Sequence, residues 1–357
     1  MTSIAFDSDS YADRAVRGMR YLGDVLELGP GFAASTADAV ALLFGSWGHR
    51  TSRGIEESEK ARRGAPFEYS LVLDADRVDV RIFFRPLAPN GATTARASWQ
   101  QGWRTLETLE DRGVAELVHA RTLRDLFQPR SDRAAFGLCT AVSVRPDGIG
   151  ASKVYFDTMA AGIERNRDLV GEALDRLGHG PAWRWLQEHD PHGLAHLIPA
   201  FFSLDLHTSP RARVKFYTTV DERSTSALAA RVGELSDTAR STAAAFVDSM
   251  SADSSQALAG PGVRPTLCWS MTSRSDAQPD DATLYLPFNR YAPDREDALS
   301  RLRKLLAPAL YPKMENLVRA TEVENPFHWA ATKLNRTGSA LTLYVAADIV
   351  EAASTAS

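Results

Sequence analysis

Residues 213–217 read Arg-Val-Lys-Phe-Tyr, with two cations and a phenol at the odd positions and apolar side chains between them. Side chains of an extended strand alternate faces, so Arg213, Lys215 and Tyr217 share one face and Val214 and Phe216 the other. The same figure recurs at Arg81-Ile-Phe83, Lys153-Val-Tyr155, Thr283-Leu-Tyr285 and Thr342-Leu-Tyr344. Its first positions, 81, 153, 213, 283 and 342, stand 72, 60, 70 and 59 residues apart. Each time one face carries Arg, Lys or Thr followed by an aromatic, and the other carries an aliphatic residue.

Every one of these strands has a partner just upstream. Phe67–Leu73 precedes Val78–Phe84 across Asp74-Ala-Asp76, and Phe136–Val144 precedes Lys153–Phe156 across Arg145-Pro-Asp-Gly148. Ala200–Leu206 precedes Arg213–Thr218 across Thr208-Ser-Pro210, and Thr266–Met271 precedes Thr283–Phe288. Phe327–Lys333 and Ala340–Val345 close the series across Asn335-Arg-Thr-Gly338. Turn residues between β-branched and aromatic runs predict hairpins. Helical patterns lie between the pairs: Ser224–Met250, with Leu228, Val232, Leu235, Ala239 and Phe246 on one stripe, Asp294–Leu310, Asp157–Leu177, Glu107–Phe127 and Ser10–Leu26.

Hairpins join antiparallel neighbours, which excludes a doubly wound parallel sheet. Ten antiparallel strands with helices on one face leave no open edge when the sheet curls shut. The expected fold is α+β, a closed ten-stranded antiparallel β-barrel ringed by helices, forming a single domain over residues 1–357. A barrel of this size encloses a cavity. The aliphatic face turns to the helices, and the cationic, aromatic face lines the lumen.

Composition agrees with such a globule, since 44% hydrophobic residues suffice for a large core. Lys+Arg 41 against Asp+Glu 45 gives −4, so no global basic field points to nucleic acid or an anionic membrane. Any bound anion must meet a local cluster. Cys139 and Cys268 cannot build a disulfide framework or a thiolate metal site. The opening MTSIAFDSDS lacks a basic and an apolar region, and stretches such as Leu194–Leu204 are too short to span a bilayer. A cytoplasmic location without a membrane partner is therefore expected. The tail Ala352–Ser357 is small and polar.

Arg81, Lys153, Arg213 and Lys215 at one level of a lumen call for a multivalent anion, because unpaired cations in a cavity are costly. At the next level Tyr155, Tyr217, Tyr285 and Tyr344 form a girdle of electron-rich rings that attract cations. An anion at one level and a stabilised cation at the next describe a site that ionises an allylic diphosphate and shelters the carbocation. Upstream, Glu68 interrupts an otherwise apolar strand. Facing inward, it would accept a hydrogen bond from an N–H and enrich a heteroaromatic ring.

Other signals carry less. His189, His192 and His196 have a metal-like spacing, but Pro191 and Gly193 break the helix that would align them, and a surface turn is expected. Asp280-Asp281 lacks the further acidic residue of a DDxxD pattern, so a bridging Mg²⁺ is not expected. Gly29-Pro-Gly31 reads as a helix terminator, Trp183 and Trp185 as core of an outer helix, and Asp205 with His207 as a partnered polar pair.

FEYS around Glu68, VRIFF around Arg81, SKVYF at Ser152–Phe156, RVKFY, CWS at Cys268–Ser270, TLYLPF at Thr283–Phe288 and the closing LTLYV resemble the dimethylallyltryptophan synthase family of indole prenyltransferases. The resemblance runs in order from Phe67 to Val345, and the short N-terminus is similar to the bacterial branch. It implies a barrel of αββα repeats that works in the cytosol without a required metal or other cofactor. It also implies that Glu68 binds the indole N–H. Arg81, Lys153, Arg213 and Lys215 would bind diphosphate with a hydroxyl from Tyr285, and Tyr155, Tyr217, Tyr285 and Tyr344 would shield the dimethylallyl cation.

The implied substrates are dimethylallyl diphosphate and L-tryptophan or another indole-containing acceptor. Two departures bear on the acceptor. Members that prenylate C4 carry a lysine on the first strand of the second hairpin, and Phe136–Val144 has none. The basic residue that grips the amino-acid carboxylate in some members has no match in Leu197–Leu204. The first argues against C4 attack, and the second against free tryptophan as the acceptor. A phenol or an indole-containing dipeptide as acceptor, or a non-catalytic barrel that binds an isoprenoid diphosphate, are the alternatives.

Overall fold

The computed structural model describes residues 10–51, 65–90, 92, 94–130, 134, 136–189, 198–222, 224–251, 258, 264–273, 277–334 and 340–350. The turn at 335–338, the tail at 352–357, His192 and His196 lie outside them. Within the described residues the expected hairpins form: β1 (Phe67–Asp74) with β2 (Arg77–Phe84), β3 (Leu138–Arg145) with β4 (Gly148–Asp157), and β5 (Ile198–Asp205) with β6 (Val214–Thr219). They are followed by β7 (Thr266–Met271) with β8 (Asp281–Leu286) and β9 (Phe327–Lys333) with β10 (Leu341–Val345). Each hairpin pairs with the next and β10 returns to β1, so the sheet is a closed antiparallel barrel.

Register fixes which side chains face inward. Arg81 lies opposite Ser70 and Ser143, Lys153 opposite Ala141 and Asp205, and Lys215 opposite Ser203 and Ser270. Tyr217 lies between Phe201 and Cys268, Tyr285 between Thr266 and Ala331, and Tyr344 between Ser70 and Trp329. The alternate residues, among them Tyr69, Ile82, Phe84, Val154, Phe156, Phe202, Phe216, Leu284 and Leu343, are wholly buried beneath the helices. Burying each large apolar side chain contributes roughly 1.5–3 kcal/mol. A slip of one residue would turn this set into the lumen and the cations into the core, so the pattern pins the register.

The helices keep to the outside. α1 (Tyr11–Val25) is capped by the Ser10 hydroxyl, which accepts from the Asp13 N–H, and buries Tyr11, Ala15, Met19 and Leu22 at helical spacing. Gly29, at φ 84, and Pro30 open α2 (Pro30–Phe44), so Gly29-Pro-Gly31 starts a helix as well as ending one.

Several helical boundaries depart from the periodicity. α3 (Ala95–Asp111) starts at the Thr94 cap, and the chain turns at Gly113, φ 68, before the short α4 (Val118–Thr122). Asp157 ends β4 instead of opening a helix, because its carboxylate accepts from the N–H groups of Phe136 and Met159. α5 (Asn166–Arg176) and α6 (Gly180–His189) follow. The 224–250 stripe breaks where Ser236 caps a new helix, giving α7 (Thr225–Gly233) and α8 (Asp237–Met250). Pro287 ends β8 and begins the turn α9 (Phe288–Tyr291). α10 (Arg295–Leu305), capped by Asp294, and α11 (Tyr311–Ala320) complete the ring.

Gly18 lets α1 seat on the barrel. A Cβ there would run into the hydroxyl of Tyr69, which is buried and hydrogen-bonded to the carbonyl of Ala15 at 3.3 Å. Gly18→Ala is expected to destabilise the fold by about 1–3 kcal/mol despite alanine's better helix propensity. Tyr69→Phe should relieve part of that loss, and the double variant in thermal unfolding checks it. An unchanged melting temperature for Gly18→Ala would contradict the packing argument.

Candidate active site

Three strands converge on one end of the lumen to build its cationic tier. Arg81 comes from β2, Lys153 from β4, Lys215 from β6 and Arg213 from the residue just before it. Lys153 and Lys215 are 7% and 6% exposed, so both ammonium groups stand on buried strand backbone. The tier also contains Asp205, at the end of β5. Its carboxylate accepts from Arg213 Nε at 2.7 Å and stands 3.4 Å from Lys153 Nζ. The polar pair expected between Asp205 and His207 does not form. His207 Nδ1 instead meets Ser209 Oγ at 3.0 Å, while strand alternation turns Asp205 inward to the cations.

Burial and charge pull in different directions here. Burial drives the Lys153 ammonium well below its ordinary pKa, and Arg213, Lys215 and Arg81 add to that, with Asp205 opposing. Lys215 is lowered by burial as well. For Asp205, burial would raise the carboxyl pKa, but the Lys153 and Arg213 charges and the Arg213 hydrogen bond outweigh it and hold the group far below the usual carboxylate range. With both lysines protonated, four cations would face one partnered carboxylate at this end of the lumen, and the protonation of the two lysines sets its charge.

The neighbouring tier is aromatic. Ring centroids run 5.2 Å from Phe83 to Tyr155, 6.1 Å from Tyr155 to Tyr217, 5.8 Å from Tyr217 to Tyr285 and 5.9 Å from Tyr285 to Tyr344. These are edge-to-face and tilted contacts, the arrangement ring quadrupoles favour. Phe201 packs 5.9 Å from Tyr217 and 5.3 Å from Phe136, extending the wall. A hydrogen bond links the hydroxyls of Tyr285 and Tyr344. Burial pushes the phenols upward, Tyr344 to about 12, so the girdle stays neutral. Cys268, wholly buried on β7, faces the same tier between Tyr217 and Thr283, and burial raises its thiol too.

Glu68 stands on the lumen face of β1, half-buried and opposite Phe83. Its charge reaches the Tyr344 hydroxyl. Strand pairing thus puts the carboxylate at the aromatic level, beyond Ser70, which faces Arg81. All nine residues singled out from the sequence reach the lumen, in two adjoining tiers.

The sequence reading paired Asp205 with His207 instead of placing it in the cationic tier, and it did not single out Phe201, Phe136, Cys268 or Trp329 as lining. Strand parity could have placed Phe201, Asp205, Cys268 and Trp329 inside. Elsewhere, Trp183 is buried against Phe216 at 5.5 Å, as expected of a core tryptophan. Trp185 is half-buried, stacked 4.5 Å from His189, whose Nδ1 meets the Trp185 carbonyl. Among the described residues, no helix is long and apolar enough to cross a membrane, and no group of three His, Cys, Asp or Glu could hold a metal ion.

The fold is shared with solved proteins. The chain superposes on the prenyltransferase PriB in complex with L-tryptophan and dimethylallyl thiolodiphosphate with a TM-score of 0.80 at 23% identity, over 95% of this chain and 97% of the other. It matches 5-dimethylallyl tryptophan synthase from Streptomyces coelicolor with a TM-score of 0.79 at 23% identity, over 96% of each chain. It matches 6-dimethylallyltryptophan synthase from Micromonospora olivasterospora with a TM-score of 0.80 at 22% identity, over 95% and 98%. At such identities the likeness is one of fold. The sequence itself carries the closer relation, because the tryptophan dimethylallyltransferase profile matches residues 48–309, from before β1 to beyond α10 and through both tiers of the lumen. The chain belongs to the tryptophan dimethylallyltransferase family of prenyltransferases.

Proposed function

We propose that the protein transfers the dimethylallyl group of dimethylallyl diphosphate to the indole of L-tryptophan or a tryptophan-derived acceptor, releasing diphosphate. The observation that carries this reading is the junction of a cationic tier with an aromatic girdle inside one closed barrel. Arg81, Lys153, Arg213 and Lys215 bind the diphosphate, with Tyr285 adding a hydroxyl at the boundary of the tiers. As the allylic C–O bond breaks, negative charge grows on the leaving oxygen, and fixed cations stabilise it without reorganising. The allylic cation that remains lies against Tyr155, Tyr217, Tyr285 and Tyr344, whose faces attract it and whose bulk excludes water. The indole ring attacks it, with Glu68 holding the indole N–H and enriching the ring, and the ring proton displaced by the new bond passes to the released diphosphate as aromaticity returns.

β5 presents Phe201 and Ser203 toward the lumen, neutral residues where an amino-acid carboxylate would favour a cation. This favours a tryptophan derivative, such as an indole-containing dipeptide, as a second reading of the acceptor. Incubation of dimethylallyl diphosphate with tryptophan and with a tryptophan dipeptide, followed by NMR of the products, tests both. Absence of prenylated product from either, and from other indoles, would refute the transferase reading.

Because side-chain cations neutralise the diphosphate in this proposal, turnover is expected to persist in EDTA. Activity abolished by EDTA and restored by Mg²⁺ would mean that a metal carries the charge instead. The same charge argument makes the protein dependent on ionic strength only weakly, since buried pairs are poorly screened.

A further inference from the structure

Asp205 performs no step in the chemistry proposed above, yet it stands within the cationic tier, 7% exposed. Its Oδ2 accepts twice from Arg213, from the backbone N–H at 3.2 Å and from Nε at 2.7 Å. Its Oδ1 accepts from Arg213 Nη2 at 3.3 Å and lies 3.4 Å from Lys153 Nζ. A site for a polyanion gains nothing directly from a carboxylate, which weakens its field. The partners explain its presence.

Arginine keeps its proton under all ordinary conditions, whereas a buried lysine loses its own readily. The charge of this tier is therefore decided by its two lysines. Lys153 faces Asp205 from β5, Arg213 and Lys215 from β6, Arg81 from β2 and the neutral Ala141 from β3. Burial and three cations favour its neutral form, and Asp205 opposes them. Lys215 has other company, with Cys268, Arg213, Asp205 and Asp281 acting on it. Asp205 also orders the arginine. Of the five N–H donors of a guanidinium, Asp205 engages Nε and Nη2, leaving Nη1 for an anion.

Resting on the reading that this tier holds the diphosphate, we propose that Asp205 is a positioning residue of the transferase, which keeps Lys153 protonated before substrate arrives and fixes the Arg213 fork.

The sign follows from the partners. Lys153 carries its charge below its pKa and loses it as pH rises. Removing the neighbouring negative charge lowers that pKa, so binding should fail at lower pH. Affinity for the non-ionising analogue dimethylallyl S-thiolodiphosphate, measured by calorimetry from about pH 6 to about pH 10, reads this without turnover. Asp205→Asn is expected to move the alkaline loss of affinity down by about one pH unit or more. In a Lys153→Arg background, where position 153 cannot titrate in this range, most of that displacement should vanish. An Asp205→Asn midpoint equal to the parent's, or a displacement as large in the Lys153→Arg background, overturns the assignment.

Should Asp205→Asn not fold, Lys153→Arg alone decides. It must move the alkaline midpoint of the otherwise native protein upward, and an unmoved midpoint removes Lys153 and with it the role of Asp205. Failure of the parent to bind the analogue, or binding indifferent to Lys215→Ala, would refute the diphosphate site itself. Binding that needs Lys215 but has a pH profile indifferent to Asp205 would refute only the positioning role.

Discussion

Glu68→Gln is expected to lower turnover by about two to four orders of magnitude, the range a positioned acid–base group supplies, while the protein stays folded and still binds dimethylallyl diphosphate. Glutamine keeps the shape and one acceptor oxygen, so the change isolates the charge. Glu68 is separated from the cationic tier by its place on β1. It faces Phe83 at the aromatic level, whereas Ser70, two residues on, is the residue that faces Arg81. Loss of its charge should therefore leave diphosphate affinity near the parent value and act on the acceptor half of the reaction.

The size of the loss also bears on where the ring is attacked. A base that takes the N1 proton is needed more strictly than a polariser of the ring. β3 turns Cys139, Ala141 and Ser143 inward, and none of these neutral side chains is the lysine that would collect a proton from C4. Attack at N1 or at a benzenoid carbon away from C4 is the expected outcome. Product regiochemistry by NMR, measured beside Glu68→Gln kinetics, checks both halves. A C4 product, or a glutamine variant as fast as the parent, would overturn the assignment.

What made the barrel legible was repetition with a period of two. Lys153-Val-Tyr155 alone is compatible with any half-exposed strand. Five such figures in phase leave one consistent placement, because a one-residue slip would bury cations against the helices in three of them and turn the leucines of the other two into the lumen. The helical boundaries were less legible for a local reason. Apolar spacing continues through Leu235, but the hydroxyl of Ser236 accepts from the Ala239 N–H and starts a second helix, and a single cap ends a stripe that periodicity alone extends.

The place of Asp205 among the cations was missed for a reason of longer range. Its partner Lys153 lies in the preceding hairpin, across α5 and α6, and their pairing depends on the β4–β5 register. Alternation within one strand gives a side chain its face but not its neighbour from another hairpin. Within its own hairpin Asp205 is engaged by Arg213, whereas His207, the partner the sequence suggested, goes to Ser209.

The Asp205 contact separates the two cations of the 213–217 stretch, because Arg213 has it and Lys215 does not. Lys215→Ala is expected to slow prenyl transfer about a hundredfold, because it removes one charge-assisted contact worth roughly 2–4 kcal/mol to the departing diphosphate, by analogy with the loss of an oxyanion-hole donor. Among the described residues Lys215 forms no ion pair, so its removal takes away a contact without freeing a directly paired carboxylate, although Asp205 and Asp281 feel its charge. Arg213→Ala is expected to be the more damaging of the two. It deletes the same kind of contact and also frees the carboxylate that Arg213 engages through Nε and Nη2. Asp205 would then face the incoming anion with only Lys153 beside it, at 3.4 Å, and would spend the charge of that lysine on itself. Arg213→Ala combined with Asp205→Asn should accordingly recover part of the loss, a sign that simple deletion of two diphosphate contacts could not give. Single-turnover rates for the three variants decide it. Near-parent rates in Lys215→Ala and Arg213→Ala would move the diphosphate elsewhere in the barrel, and a double variant slower than Arg213→Ala would show that the freed carboxylate does no harm.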